Sequence, residues 1–130
     1  MIYPTESNPI TVHLTSGIFS PSNEEVFPIT MISHVNLIGE GEEVTVLNDN
    51  EQGYHEFMIW LENCQNNIIS GIAFTCSVDD LNLTGGGIMH ILSSSVNINN
   101  VVLHDIWAGS GIIGFKVYNS DVKFTNVDII

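Results

Sequence analysis

Apolar and polar residues alternate in steps of two along much of this chain. "ITVHL" at Ile10–Leu14, "VTVL" at Val44–Leu47, "VNINNVVLH" at Val96–His104 and "VKFTNVDI" at Val122–Ile129 all follow the pattern. Such alternation in Val, Ile, Thr and Phe predicts strands with one buried face. Clusters of Gly, Asn, Asp, Ser and Pro separate these stretches and mark turns. Helical periodicity is nearly absent. The alternation is poor in Ile2–Pro9 and Asn48–Glu56.

The strands repeat. Ser94–His104 laid over Ser120–Ile130 brings Val96, Ile98, Val101 and Leu103 onto Val122, Phe124, Val127 and Ile129, an offset of 26. Asn67–Phe74 laid over Val96–Leu103 brings Ile69, Ile72 and Phe74 onto Ile98, Val101 and Leu103, an offset of 29. Leu37, in "VNLIGEG", falls over Ile69 at an offset of 32. Another apolar segment precedes each copy: Phe27–Ile32, Phe57–Asn63, Gly87–Ser93 and Gly114–Ser120. One such unit cannot bury its own apolar face. Stacked units can, because each backbone pairs with the coil above and below at ~4.8 Å. The expected fold is all-β, a parallel β-helix solenoid of four to five coils in one domain over residues 1–130. The variable loops "SPSNEEV", "NDNEQGYHE", "CSVDDLNLTGG" and "DIWAGSG" would leave it on one side.

The segment Ile10–Leu47 resembles an N-terminal β-helix segment found in bacterial surface proteins. More broadly, the alternating strands, the "GGGI" that opens a rung and the Asn-rich turns resemble the right-handed parallel β-helices of the pectate-lyase-like superfamily. The narrower resemblance is carried by Gly17, Phe19 and Ser20, then Glu25, Phe27, Pro28 and Ile29, then Val35, Leu37 and Gly39. Residues 57–130 match only the generic repeat. Family members begin with a short amphipathic helix that caps the first coil, and no such pattern precedes Ile10. The last residues, "NVDII", read as mid-strand. The expectation is a fragment of a longer array, or coils whose ends associate or are covered by a partner.

Charge narrows the partners. The 130 residues carry 15 Asp plus Glu against two Lys and no Arg, a net charge of −13. Lys116 and Lys123 alone cannot supply a phosphate-binding surface, so nucleic acid and anionic membrane are not expected partners. Carbohydrate or another surface protein fits better. The plainest reading of the acid excess is solubility. No apolar run approaches the ~20 residues of a membrane helix. No basic segment followed by a long apolar one starts the chain, so any export signal is expected on a longer parent. Secretion or surface display is what the resemblance implies. Cys64 and Cys76 form no metal-binding spacing, and whether a disulfide joins them is left open.

The candidate chemistry is sparse. "GGGI" at Gly85–Ile88 leads into a strand pattern with no Lys after it, so its glycines read as a coil corner and not a phosphate loop, as do those of "GEG" at Gly39–Gly41. Lyase members of the superfamily use carboxylates for calcium and an Arg or Lys base. This chain has no Arg, and Lys116 and Lys123 are expected to face solvent. Asp105 and Asp128 do not share a register, and Asp79–Asp80 reads as an ordinary loop pair, so no catalytic dyad is expected. For calcium, the oxygen donors are Asp79, Asp80, Glu40, Glu42 and Glu43, without a calcium-loop signature. Trp107 and Tyr54, in loops, are candidates for stacking on sugar rings. Trp60, in an apolar run, reads as core on at least one side. The expected function is a non-catalytic structural or adhesive module. The alternative is a carbohydrate-binding or polysaccharide-degrading β-helix whose active coils lie elsewhere.

Overall fold

A computed structural model describes residues 3–20, 27–49, 57–78, 87–108 and 113–130, except the side chains of 77, 78, 107, 108 and 113. Among the described residues there is no helix, and hence none long and apolar enough to cross a membrane. The strands are β1 (Ile10–Leu14), β2 (Gly17–Phe19), β3 (Ile29–Thr30), β4 (Val35–Gly39), β5 (Thr45–Asp49) and β6 (Phe57–Glu62), then β7 (Asn67–Val78), β8 (Gly87–Leu92), β9 (Ser95–Ala108), β10 (Ile113–Tyr118) and β11 (Asp121–Ile129). Every ladder between them is parallel.

One sheet stacks β3, β6, β8 and β10. The other is folded along its length. Its first half stacks β1, β4 and the starts of β7, β9 and β11, and its second half stacks β2, β5 and the continuations of the same three strands. The chain is therefore a parallel β-solenoid of about three complete turns. Four to five coils were expected. The difference lies at the two ends: β3 pairs through only two residues, and β11 forms a last rung with no further coil on it among the described residues. Pro28 offers no N–H to a ladder, which suits the short β3 beside it.

The repeat registers match the expected overlays. Val96, Ile98, Val101 and Leu103 pair with Val122, Phe124, Val127 and Ile129. Ile69, Ile72 and Phe74 pair with Ile98, Val101 and Leu103, and Leu37 pairs with Ile69. These side chains fill the interior: Ile69, Ile72, Phe74, Ile98, Val101 and Leu103 are fully buried. Each buried side chain of this size contributes roughly 1.5–3 kcal/mol. From the four-stranded sheet, Ile59, Leu61, Met89 and Ile91 meet them, also fully buried.

Alternation alone does not produce this interior. Ile69 and Ile72 both point inward although they are three positions apart, so the parity switches between them. The residue that switches it is Gly71, at φ 71°, and Asn100 (52°) and Asn126 (50°) hold the same height in the next rungs. A left-handed residue turns the strand, and Gly and Asn tolerate that region best. A second such column, Asn63 (55°), Ser93 (49°) and Asn119 (51°), ends β6, β8 and β10. Gly71 is needed for space as well. A Cβ there would lie 2.7 Å from the Gly39 carbonyl oxygen.

Polar side chains tie the corners of successive rungs. Behind the second column stand Cys64, Ser94 and Ser120. The Cys64 N–H donates to Ser94 Oγ (3.0 Å), and the Ser94 N–H donates to Ser120 Oγ (3.0 Å). The two hydroxyls donate back to the carbonyls of Leu92 (2.8 Å) and Tyr118 (2.9 Å). Asn126 Nδ2 donates to Asn100 Oδ1 at 3.3 Å along the first column. Buried Asn67 clamps the preceding coil, with Nδ2 donating to the carbonyls of Ile32 (2.7 Å) and Val35 (2.8 Å). Thr45, also buried, accepts the Glu40 N–H (3.0 Å) and donates to the Thr15 carbonyl (3.1 Å). Ser94, Asn67 and Thr45 are each placed where turn backbone would otherwise lack a partner.

Two stability outcomes follow from the corners. Gly71→Ala is expected to cost about 2–4 kcal/mol through φ strain and the clash with Gly39, while Asn100→Gly stays within about 1 kcal/mol, both read from urea unfolding. Ser94→Ala leaves a buried N–H unpaired and is expected to cost about 1–3 kcal/mol. Ser120→Ala, at the wetter last rung, costs less, and equal losses at the two positions would contradict the ladder.

Candidate functional site

The outer face of the four-stranded sheet gathers the chemistry that the described residues offer. Ile59 and Leu61 point inward, so Trp60 between them points out. The ladders place Thr30, Trp60, His90 and Lys116 in one column. Rungs ~4.8 Å apart bring flat side chains face to face, and the Trp60 and His90 rings stack at 3.9 Å between centroids with planes 18° apart. Phe57 abuts both, 5.3 Å from His90 and 6.0 Å from Trp60. His90 is buried beneath this cluster, Trp60 is half-buried, and Lys116 is exposed. Glu62, Leu92 and Tyr118 form the adjacent column, in which Glu62 and Tyr118 are exposed. His90 covers one face of the indole, Glu62 lies in the same strand as Trp60, and Lys116 and Tyr118 lie one rung beyond His90. This side of the sheet therefore offers an aromatic surface with a carboxylate, a phenol and an ammonium around it, groups that can stack on a sugar ring and bond its hydroxyls.

A polar groove of about 270 Å³ runs over the outer face of the folded sheet, where Asn66, Ser95, Asn97, Asp121 and Lys123 line it. Its residues are largely exposed.

Asp79, Asp80 and Tyr54 lie outside the described residues. Trp107 pairs through its backbone with Ser77 in the β7–β9 ladder, and its side chain lies outside the description. Glu40, Glu42 and Glu43 sit in the turn between β4 and β5, where Glu40 Oε2 accepts the Ser16 N–H at 3.2 Å. Among the described residues, no three or more of His, Cys, Asp and Glu come together as a metal would need. Asp128 pairs with Val102, and Asp105 lies at a bulge where the β7–β9 register slips, its Oδ2 2.7 Å from His104 Nδ1. The expected separation of those two carboxylates holds in the ladder. Lys116 and Lys123 are both exposed, as expected. Trp60 and His90 are what the sequence reading missed as a pair. Their offset of 30 and shared parity opposite Ile59 and Met89 were the signal.

Both cysteines are free and buried. Burial raises the Cys64 thiol; its hydrogen bond to the Glu62 carbonyl opposes this, and the Glu62 charge adds to it. Cys76 is pushed up to about 12 by burial, with the neighbouring Asp49 carboxylate adding to the rise. A thiol held protonated in this way is a poor nucleophile.

The geometry defines a parallel β-solenoid repeat protein with an aromatic outer column. No family model, curated protein or solved structure matches the chain.

The Cys76 environment fixes a pH response. Its folded pKa lies above the unfolded value, so the stabilisation is complete below pH ~9 and is lost as pH rises towards ~12. Urea midpoints of the parent are expected to fall across that window, and those of Cys76→Ala to fall less. A parent and variant with identical slopes there would refute the assignment. In the native state below pH ~9 neither thiol should react with a disulfide reagent until the chain unfolds.

Proposed function

We propose that this chain is a structural or adhesive module of a secreted or cell-surface bacterial protein, built as a right-handed β-helix of the pectate-lyase-like kind and not catalytic by itself. The observation that supports this reading best is the repeating parallel ladder. Interior columns, left-handed corners and hydroxyl-to-amide links repeat from rung to rung with few side chains diverted from packing. A stack of that kind serves as a rigid spacer that carries its loops outward. The motif run from Gly17 to Gly39 and the excess of acid fit an exported surface segment.

A second reading is favoured by one specific feature, the Trp60–His90 stack beside Glu62 and Tyr118. In this reading the face binds carbohydrate, with Trp60 as the stacking platform and Glu62, Tyr118 and Lys116 as hydroxyl partners.

A glycan array separates the two. The structural reading expects no bound glycan, and no release of reducing ends or unsaturated products from uronate or neutral polysaccharides. The carbohydrate reading expects a defined glycan set whose affinity drops about tenfold or more in Trp60→Ala and also weakens in the exposed-site variant Tyr118→Ala. Turnover of any polysaccharide by this chain would sink the leading reading.

A further inference from the structure

We infer that the two ends of the solenoid fit one another, so that a second copy of this chain stacks head to tail on the first. The inference builds on the coil-upon-coil fold and on the structural reading above. It is read by association and not by glycan binding, so either can fail alone.

The interior columns show what each end lacks. Val12, Leu37, Ile69, Ile98 and Phe124 form one column. Its three middle members are at most 4 % exposed, whereas Val12 is 44 % and Phe124 45 % exposed. A second column runs Phe19, Leu47, Phe74, Leu103 and Ile129. It is buried in the middle and 67 % exposed at Ile129. The four-stranded sheet repeats the arrangement, from half-buried Ile29 through buried Ile59 and Met89 to half-buried Phe115. At both ends, side chains that face the interior meet solvent. Among the described residues, β1, β2 and β3 at the head and β10 and β11 at the tail each pair on one side only.

A second copy matches these ends in four respects. Shape is the first. The head opens into an apolar hollow of about 460 Å³ between Ile10, Val12, Ile29, Met31 and Leu37, with Tyr3 at its side. The tail presents Phe115 and Phe124 packed edge to face at 5.0 Å, so large rings stand opposite small aliphatic residues. Register is the second. Setting β1 on β11 places Val12 over Phe124 and Phe19 over Ile129, the same contact that every internal pair of rungs already makes. Direction is the third. All ladders are parallel, and a two-fold contact between like ends would run the strands antiparallel and align at most one ladder, whereas head to tail continues them all. Charge is the fourth. The last two strands hold Lys116 and Lys123 against Asp121 and Asp128 and so carry no net charge, whereas the described part of the first two rungs and their turns carries Glu6, Glu40, Glu42, Glu43 and Asp49 and no lysine. Head against head would bring the acids together.

Such a contact is heterologous and does not close on itself, so it grows. Sedimentation velocity on the full chain across a dilution series is expected to show a mass that climbs past the dimer as concentration rises, with an unchanged circular dichroism spectrum. Val12→Lys blocks the head and Ile129→Lys blocks the tail, and each variant alone is expected to stay monomeric. Mixed in equal amounts they should form one dimer and stop, because each retains one good end. A parent that remains monomeric throughout overturns the proposal without reference to any variant. So does a closed dimer that never grows, a mixture that fails to pair, or association that appears only as the native spectrum is lost.

Discussion

Parallel pairing between rungs makes every coil turn at the height at which its neighbours turn. A strand one residue out of step would swing its whole apolar set to the wrong side. The chain meets this constraint with residues that accept a left-handed backbone, stacked as Gly71, Asn100 and Asn126 and as Asn63, Ser93 and Asn119. The core depends on these two columns. Ile69 and Ile72, or Ile98 and Val101, both reach the interior because the residue before the second of each pair reverses the parity. The buried Ser94 hydroxyl, the Asn67 amide and the Thr45 hydroxyl then supply partners for backbone that the corners take out of the ladders.

Much of this architecture could be read from the sequence because the repeat carries its own register. Apolar residues recur at matching positions in three copies, and the offsets of 26, 29 and 32 reappear as ladder pairs. Asn100 and Asn126 could be read as turn residues, but they fall within stretches whose alternation reads as one continuous strand. Only the pairing of Ile98 with Val101, both inward, reveals the fold in the sheet. Two strands came out differently at their edges. Val44 belongs to a turn, hydrogen-bonded to the Gly41 carbonyl, and not to β5. The segment Phe27–Ile32 contributes only Ile29 and Thr30 to a ladder.

The outer chemistry was harder to read, for a physical reason. A strand whose two faces are both apolar looks the same from either side, and "FMIWLEN" gives Trp60 no polar neighbour to mark it as outward. Met58 and Ile88, on the same parity as Trp60, are fully buried as well. Both join the core from that same parity, so it is the half-exposure of Trp60 and its stack on His90 that mark the pair as outward. Trp107, expected in a loop, belongs to β9 because its backbone continues the ladder with Ser77. The ring pair that does form stands on two strands.

The parallel ladders have a mechanical meaning as well. Their hydrogen bonds lie along the axis of the stack, from one coil to the next. Tension applied between the two ends of the chain therefore loads them in series, as in opening a zip, and not side by side as in shearing a sheet. Each coil that peels away frees a length set by its own repeat, roughly 90–110 Å of extended chain at about 3.5 Å per residue. Such a rod yields in steps, dissipating work coil by coil while the remainder stays folded. Its rigidity at rest and its compliance under load come from the same bonds.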